Sequence, residues 1–181
     1  MLPGIYVGQV RSALALDVLD GSPQPFTAAG EGLAEPARAA EVWLFGDEIN
    51  AIDDPTVILD VAGVASREGR VFPFDGRLTI GRNRSLPPGD PALPGVNPLC
   101  KQRIVSPIPI ELTLVEGGSL LLRVDPRPWF TNVDFSQLER VTDEPPLYQF
   151  RDDSTGEPER ALYEGFRARL GVYSFEWRNV R

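Results

Sequence analysis

The run Ile108-Pro-Ile-Glu-Leu-Thr-Leu114, followed by Val115-Glu-Gly-Gly-Ser119 and Leu120-Leu-Leu-Arg-Val124, decides the fold class. Ile108, Ile110, Leu112 and Leu114 alternate with Pro109, Glu111 and Thr113, and Leu120, Leu122 and Val124 continue the rhythm. Successive side chains on a strand point to opposite faces, so an apolar period of two marks a half-buried strand and not a helix. Two such runs joined through Glu116–Ser119, with Gly117-Gly118 inside the join, predict a β-hairpin.

Working outward, Leu14, Leu16 and Val18 alternate in the same way. Further strands are expected at Gly4–Val10, Glu41–Phe45, Thr56–Ala62, Gly76–Gly81 and Val172–Trp177. Arg70–Phe74 adds a short one whose Pro73 points to an edge or a bulge. On the last strand Tyr173, Phe175 and Trp177 are the bulkier apolar set and are assigned to the core. About nine short strands separated by turn residues predict an all-β sandwich, mainly antiparallel. At 181 residues the chain fits a single domain spanning 1–181.

One helix interrupts this pattern. Pro158 suits a first helical position, and Glu157 and Glu159 complement the positive end of the helix dipole. Leu162, Phe166 and Leu170 recur at helical spacing with Tyr163 beside them, and Gly171 suits the position after the end. The predicted helix is Glu157–Arg169. The 17 glycines and 18 prolines exceed ordinary usage. They concentrate at 85–99, which reads as a long exposed Pro/Gly-rich connection between two halves of the strand set.

Composition excludes more chemistry than it suggests. There is no histidine, which removes Ser-His-Asp and Cys-His catalysis and imidazole metal sites. The one cysteine, Cys100, can form neither an internal disulfide nor a thiolate metal site, and it has no imidazole to activate it. Lys101 is the only lysine among 18 cationic residues and has no phosphate-cradling loop around it. A net charge of −8 argues against nonspecific binding to nucleic acid or anionic membrane. No apolar run approaches the roughly 20 residues of a transmembrane segment.

Carboxylates are the remaining catalytic currency. The neighbouring pairs Asp47-Glu48, Asp53-Asp54, Asp143-Glu144 and Asp152-Asp153 fall in predicted loops. A polysaccharide-active enzyme would need two carboxyls facing each other across a sugar ring, such as Asp125 with Asp134. Calcium makes easier use of acidic loops, and Asp152, Asp153 and Glu157 around a glycine turn are the best candidate ligands, without EF-hand spacing. A turn at an acidic helix start accounts for the same residues. Trp129 and Phe130, flanked by Arg127 and Asp134, offer an aromatic platform for a sugar or a protein partner, or else core packing at a strand end. Gly81-Arg-Asn-Arg84 places two cations after a strand, where salt bridging to the surplus acids is the ordinary outcome.

Two stretches, Thr56–Arg84 with Val61-Ala-Gly63 and Gly81-Arg-Asn-Arg84, and Arg123–Phe135, resemble uncharacterised proteins of high-GC Gram-negative bacteria. Those proteins carry a secretory or lipoprotein leader ahead of a β-rich ectodomain. The resemblance implies an extracytoplasmic location: periplasmic, anchored at the outer membrane or secreted. The start Met-Leu-Pro-Gly-Ile-Tyr-Val-Gly has neither the basic nor the apolar region of a leader, which departs from that pattern and leaves a cytoplasmic location open.

The sequence therefore leads to a non-catalytic binding or structural module with a protein or polysaccharide partner. No cofactor is expected unless calcium binds the acidic loop. The alternatives are a calcium-dependent carbohydrate-binding protein or carboxylate enzyme, and a protomer of a larger assembly. The last predicts an exposed apolar patch or an unpaired edge strand.

Overall fold

A computed structural model describes residues 5–44, 55–83, 102–153 and 155–179. Of these, 46% are in strands and 15% are helical, which makes the protein mostly β, with mainly antiparallel sheets and one main helix, as expected of an all-β sandwich. The strands are β1 (Gly8–Gln9), β2 (Glu31–Gly32), β3 (Pro36–Trp43), β4 (Val57–Arg67), β5 (Arg70–Thr79), β6 (Ile104–Thr113), β7 (Gly118–Val124), β8 (Glu139–Asp143), β9 (Pro146–Phe150) and β10 (Tyr173–Asn179). A single helical turn, α1 (Ile80–Asn83), follows β5, and the main helix is α2 (Glu157–Phe166). The expected sites at Asp47-Glu48, Asp53-Asp54, Arg84, Cys100 and Lys101, and the 85–99 connection, lie outside the described residues.

The largest sheet has the order β4-β5-β9-β8, and β3-β6, β7-β10 and β1-β2 are separate two-stranded ladders. Every pairing is antiparallel except β5 with β9, which runs parallel over Phe74–Gly76. The β4–β5 hairpin closes through Glu68 and Gly69 at φ of 53° and 77°. Consecutive positive φ values suit the right-handed twist of the flanking strands in a two-residue turn. Alternation then sends Leu59 and Val61 of β4, with Phe72, Phe74 and Leu78 of β5, into the core. Phe74 meets Phe130, Phe135 and Phe150 with ring centroids 5.0–5.8 Å apart. Beside them, Trp129 packs edge-on to Phe166 of α2 at 5.5 Å.

The expected hairpin of Ile108–Leu114 with Leu120–Val124 is corrected. Both runs are strands, but β6 ladders with β3, and β7 with β10. The Gly117 turn, at φ 74°, passes the chain from one ladder to the next. Alternation reports which face of a strand is buried and says nothing about which strand lies alongside. Leu122 and Val124 stand opposite Phe175 and Tyr173 on the packed face, while Leu120, opposite Trp177, is 45% exposed.

Leu14–Val18 is not a strand. There Asp17 accepts the backbone N–H of Leu19 (3.0 Å), and Gln24 is bonded to Asp17 through both its amide oxygen and its amide nitrogen. An Asx-type turn offers the backbone partners that a ladder would otherwise supply. Among the described residues Gly4–Val10 contributes only β1; of the expected Glu41–Phe45, Glu41–Trp43 belongs to a strand that starts earlier, at Pro36, and Phe45 lies outside the described residues. Arg70–Phe74 and Gly76–Thr79 merge into β5, with Ile80 and Gly81 in α1. Pro73 sits just before the stretch paired with β9, where that flank of β5 is open, so the proline costs no ladder bond to β9. The predicted helix 157–169 ends at Phe166, with Arg167 as its cap. Leu170 is exposed, because the chain turns through Gly171 (φ 82°) to feed β10. The hairpin β8–β9 was not expected from sequence: every residue of β8 is exposed, so it has no apolar rhythm.

Candidate functional site

The stretch Arg123–Phe135 leaves β7 and forms a 3-10 turn at Arg127–Phe130. Trp129 is 4% exposed. Its ring lies between the core and α2, so it is no open platform for a sugar. Phe130, half-buried, joins the same aromatic cluster. Gly165 of α2 makes this fit: a Cβ there would come within 2.5 Å of the Trp129 carbonyl oxygen. The expected polar partners are each engaged locally. Arg127 forks onto Asp125 through Nε and Nη2 at 2.5–3.1 Å, and those bonds hold the Asp125 carboxyl down at about 2. Asp134 caps the 3-10 turn Phe135–Gln137, accepting from the Ser136 N–H (3.1 Å) and hydroxyl (2.6 Å) and from Gln137 Nε2 (3.1 Å). Hydrogen bonds from Ser136 and Gln137 lower its pKa, with a smaller contribution from Arg67 at 3.3 Å.

The acidic loop is divided in the same way. Asp152 turns inward and accepts from the Thr79 N–H (2.7 Å), the Thr79 hydroxyl (2.8 Å) and Asn83 Nδ2 (2.6 Å). This knot ties the end of β5 and α1 to the segment ahead of α2, and it explains why Asn83 of the Gly81-Arg-Asn motif is fully buried. Asp153 accepts from the Thr155 N–H and hydroxyl, which lower its pKa. Glu157 lies on the first turn of α2 beside a shallow cleft of about 520 Å³, with Pro128, Asn132 and Arg160. Asp152, Asp153 and Glu157 therefore do not converge. Among the described residues, no group of three or more His, Cys, Asp or Glu could hold a metal ion. No described helix is long and apolar enough to cross a membrane.

What the sequence analysis missed is the arm formed by residues 5–36. None of its residues is buried. Val18 packs, half-exposed, against the core, while Ile5 is 87%, Leu19 81% and Leu33 61% exposed. Tyr6, Leu16 and Phe26 are also exposed. The arm is held by polar contacts. The β1–β2 ladder pairs Gly8 with Gly32, Gln9 Nε2 donates to Glu31 (2.9 Å), the Ala28 N–H donates to Ser12, and the Tyr6 hydroxyl donates to Glu41 of β3 (2.8 Å). The Tyr6 pKa is raised chiefly by this hydrogen bond to Glu41, with smaller contributions from burial and from the Glu41 charge. Exposed hydrogen bonds of this kind stabilise by about 1 kcal/mol each at most. Six large side chains of the arm, Ile5, Tyr6, Leu16, Leu19, Phe26 and Leu33, are left 40–87% exposed. The sequence signal in the arm, the alternation of Leu14, Leu16 and Val18, reads as a strand, and it does not reveal that Ile5, Leu19 and Leu33 stay exposed.

No family model matches this chain, and neither a curated protein nor a solved structure matches it.

Proposed function

We propose that this chain is a non-catalytic structural module, a protomer of a protein assembly in which the arm 5–36 is covered by a neighbouring copy. The carrying observation is the arm's inverted arrangement: its polar groups are paired within the chain and its large apolar groups face water. Exposed apolar side chains of this size, where they lie together, mark an interaction surface. A second copy is the occupant that the chain itself supplies. The carboxylates singled out as catalytic or metal-binding candidates support the non-catalytic reading, since Asp125, Asp134, Asp152 and Asp153 serve as caps and turn anchors. The extracytoplasmic location remains part of the proposal and rests on the resemblance noted from sequence.

Sedimentation velocity over the micromolar range tests this reading. The expected result is self-association that is lost in the double variant Leu19→Ser, Leu33→Ser. Because each copy carries a net charge of −8, added salt should strengthen the association by screening repulsion. A wild-type chain that stays monomeric at high concentration and high salt would overturn the proposal.

A further inference from the structure

In a chain of net charge −8 an arginine finds a carboxylate easily. Arg11, Arg67, Arg77, Arg140 and Arg178 each do so. Arg167 and Arg169, at the end of α2, form no ion pair among the described residues. Both line a cleft of about 300 Å³ between the end of α2 and the start of β6, together with Ile104, Ser106 and Glu164. Arg167 is fixed in place there. Its Nη1 donates to the Tyr163 hydroxyl (3.3 Å), and its guanidinium carbon lies 5.1 Å from the centre of the Tyr163 ring. Tyr163 is buried, so the stack is anchored in the core. The Arg167 Nε–H is itself buried and has no acceptor. A charged donor taken out of water without a partner costs free energy, and an acceptor seated in the cleft recovers it. The field here is positive: Arg167 and Arg103 both favour the ionised Tyr163 hydroxyl, against the burial that raises its pKa. Ser106 is already spent, since its hydroxyl donates to Glu41 (2.9 Å).

We infer that this cleft binds a small monocarboxylate, gripped by the guanidinium groups of Arg167 and Arg169. A guanidinium presents its N–H donors in a planar fork that matches a carboxylate. The charges of the lining choose among anions. Two arginines set against Glu164 leave one net positive charge, which suits a singly charged carboxylate and disfavours a doubly charged phosphate. The negative end of the α2 dipole, about half a charge, works in the same direction. Ile104 is half-buried, and the cleft volume lies at the lower end of the range for ligand pockets, so the carboxylate can carry a short alkyl tail. No residue of the arm 5–36 lines the cleft, so the site is independent of the assembly reading.

Titration of the full-length chain with sodium hexanoate at constant ionic strength, followed by NMR at the arginine Nε–H resonances, tests the site. Saturable shifts of Arg167 and Arg169 are expected, with a Kd of roughly 1–10 mM for so small a ligand. Arg169 is exposed, so Arg169→Gln should keep the fold by circular dichroism and weaken hexanoate about tenfold. Hydrogenphosphate should bind the wild-type chain about tenfold more weakly than hexanoate, and Glu164→Gln should close most of that gap. Hexylamine, with the same tail and the opposite charge, should leave both resonances unmoved. The absence of a saturable shift with hexanoate, or undiminished binding by Arg169→Gln, would overturn the inference. So would hydrogenphosphate binding the wild-type chain as tightly as hexanoate, or equal shifts with hexylamine. The double variant Leu19→Ser, Leu33→Ser should bind hexanoate as the wild type does. Binding in a chain that stays monomeric removes the arm reading and keeps the cleft, and self-association without binding does the reverse.

Discussion

The corner built by residues 127–135 with α2 and the arm of residues 5–36 spend similar residues in opposite ways. At the corner, Trp129, Phe130 and Phe135 converge on Phe74, Phe150 and Phe166, and the charged residues among them cap turns at the surface. In the arm, Ile5, Leu19 and Leu33 face water, and the order comes from hydrogen bonds among exposed polar groups. The difference teaches that aromatic residues beside charges do not announce a binding surface. In this chain the sequence stretch that looks most like a ligand platform is core, and a stretch whose alternation at Leu14, Leu16 and Val18 reads as a half-buried strand has no buried residue.

The sharpest way to break the contrast is to truncate the corner. Trp129→Ala should cost about 3–5 kcal/mol in denaturant unfolding, because a fully packed aromatic leaves a cavity beside Phe166 and Gly165. A cost below 1 kcal/mol would mean that the corner is not the core. Next comes the polar knot. Asp152→Ala removes three acceptor contacts, leaving the Thr79 N–H without its partner and Asn83 Nδ2 with the Thr79 carbonyl alone, a loss of about 2–3 kcal/mol. Gly165→Ala should destabilise by about 1–3 kcal/mol in the same assay. Alanine is the better helix former, so a stabilised variant would show that the Trp129 backbone, 2.5 Å from the added Cβ, can move away. In the arm, Leu19→Ser and Leu33→Ser should leave monomer stability within about 0.5 kcal/mol, since neither side chain loses a packed environment. Their effect belongs to association alone, and a large loss of monomer stability would make the arm part of the core after all.

The smallest effect is electrostatic. Asp125 is half-buried, and its hydrogen bonds from Arg127 lower its pKa from 3.8 to about 2. A carboxylate depressed on folding contributes stability that is present above its unfolded value and is lost as pH falls through the folded one. The contribution of this pair should therefore fade between pH 3.8 and about 2. Arg127→Ala should move the Asp125 carboxyl resonance, followed by NMR titration, back up toward the ordinary carboxylate range. An unmoved titration would mean that the fork is absent in solution.

Much of the fold was legible because burial writes itself into a strand at every second residue. The faces of β6, β7 and β10 could be assigned from Ile108, Leu122 and Phe175 before any partner was known. The acidic start of α2 was legible for an equally local reason: Pro158 and the flanking glutamates suit the first turn of a helix. Less of the candidate site was legible. Asp152 and Asp153 look alike in sequence, yet one reaches across to Thr79 and Asn83 and the other bonds two residues onward to Thr155. β8 was invisible because a strand exposed along its whole length carries no alternation.

By itself the sequence determined the β class, the inward faces of the main strands, the start of α2 and the absence of histidine chemistry. These follow from local residue properties: alternation, capping preference and the side chains present. Only the tertiary structure decided that β6 joins β3 while β7 joins β10, that Trp129 lies under α2, and that Ile5, Leu19 and Leu33 of the arm are exposed among the described residues. The physical reason is the same in each case. Which strand, ring or solvent layer meets a given side chain is set by segments distant in the chain, and no local pattern of residues specifies them.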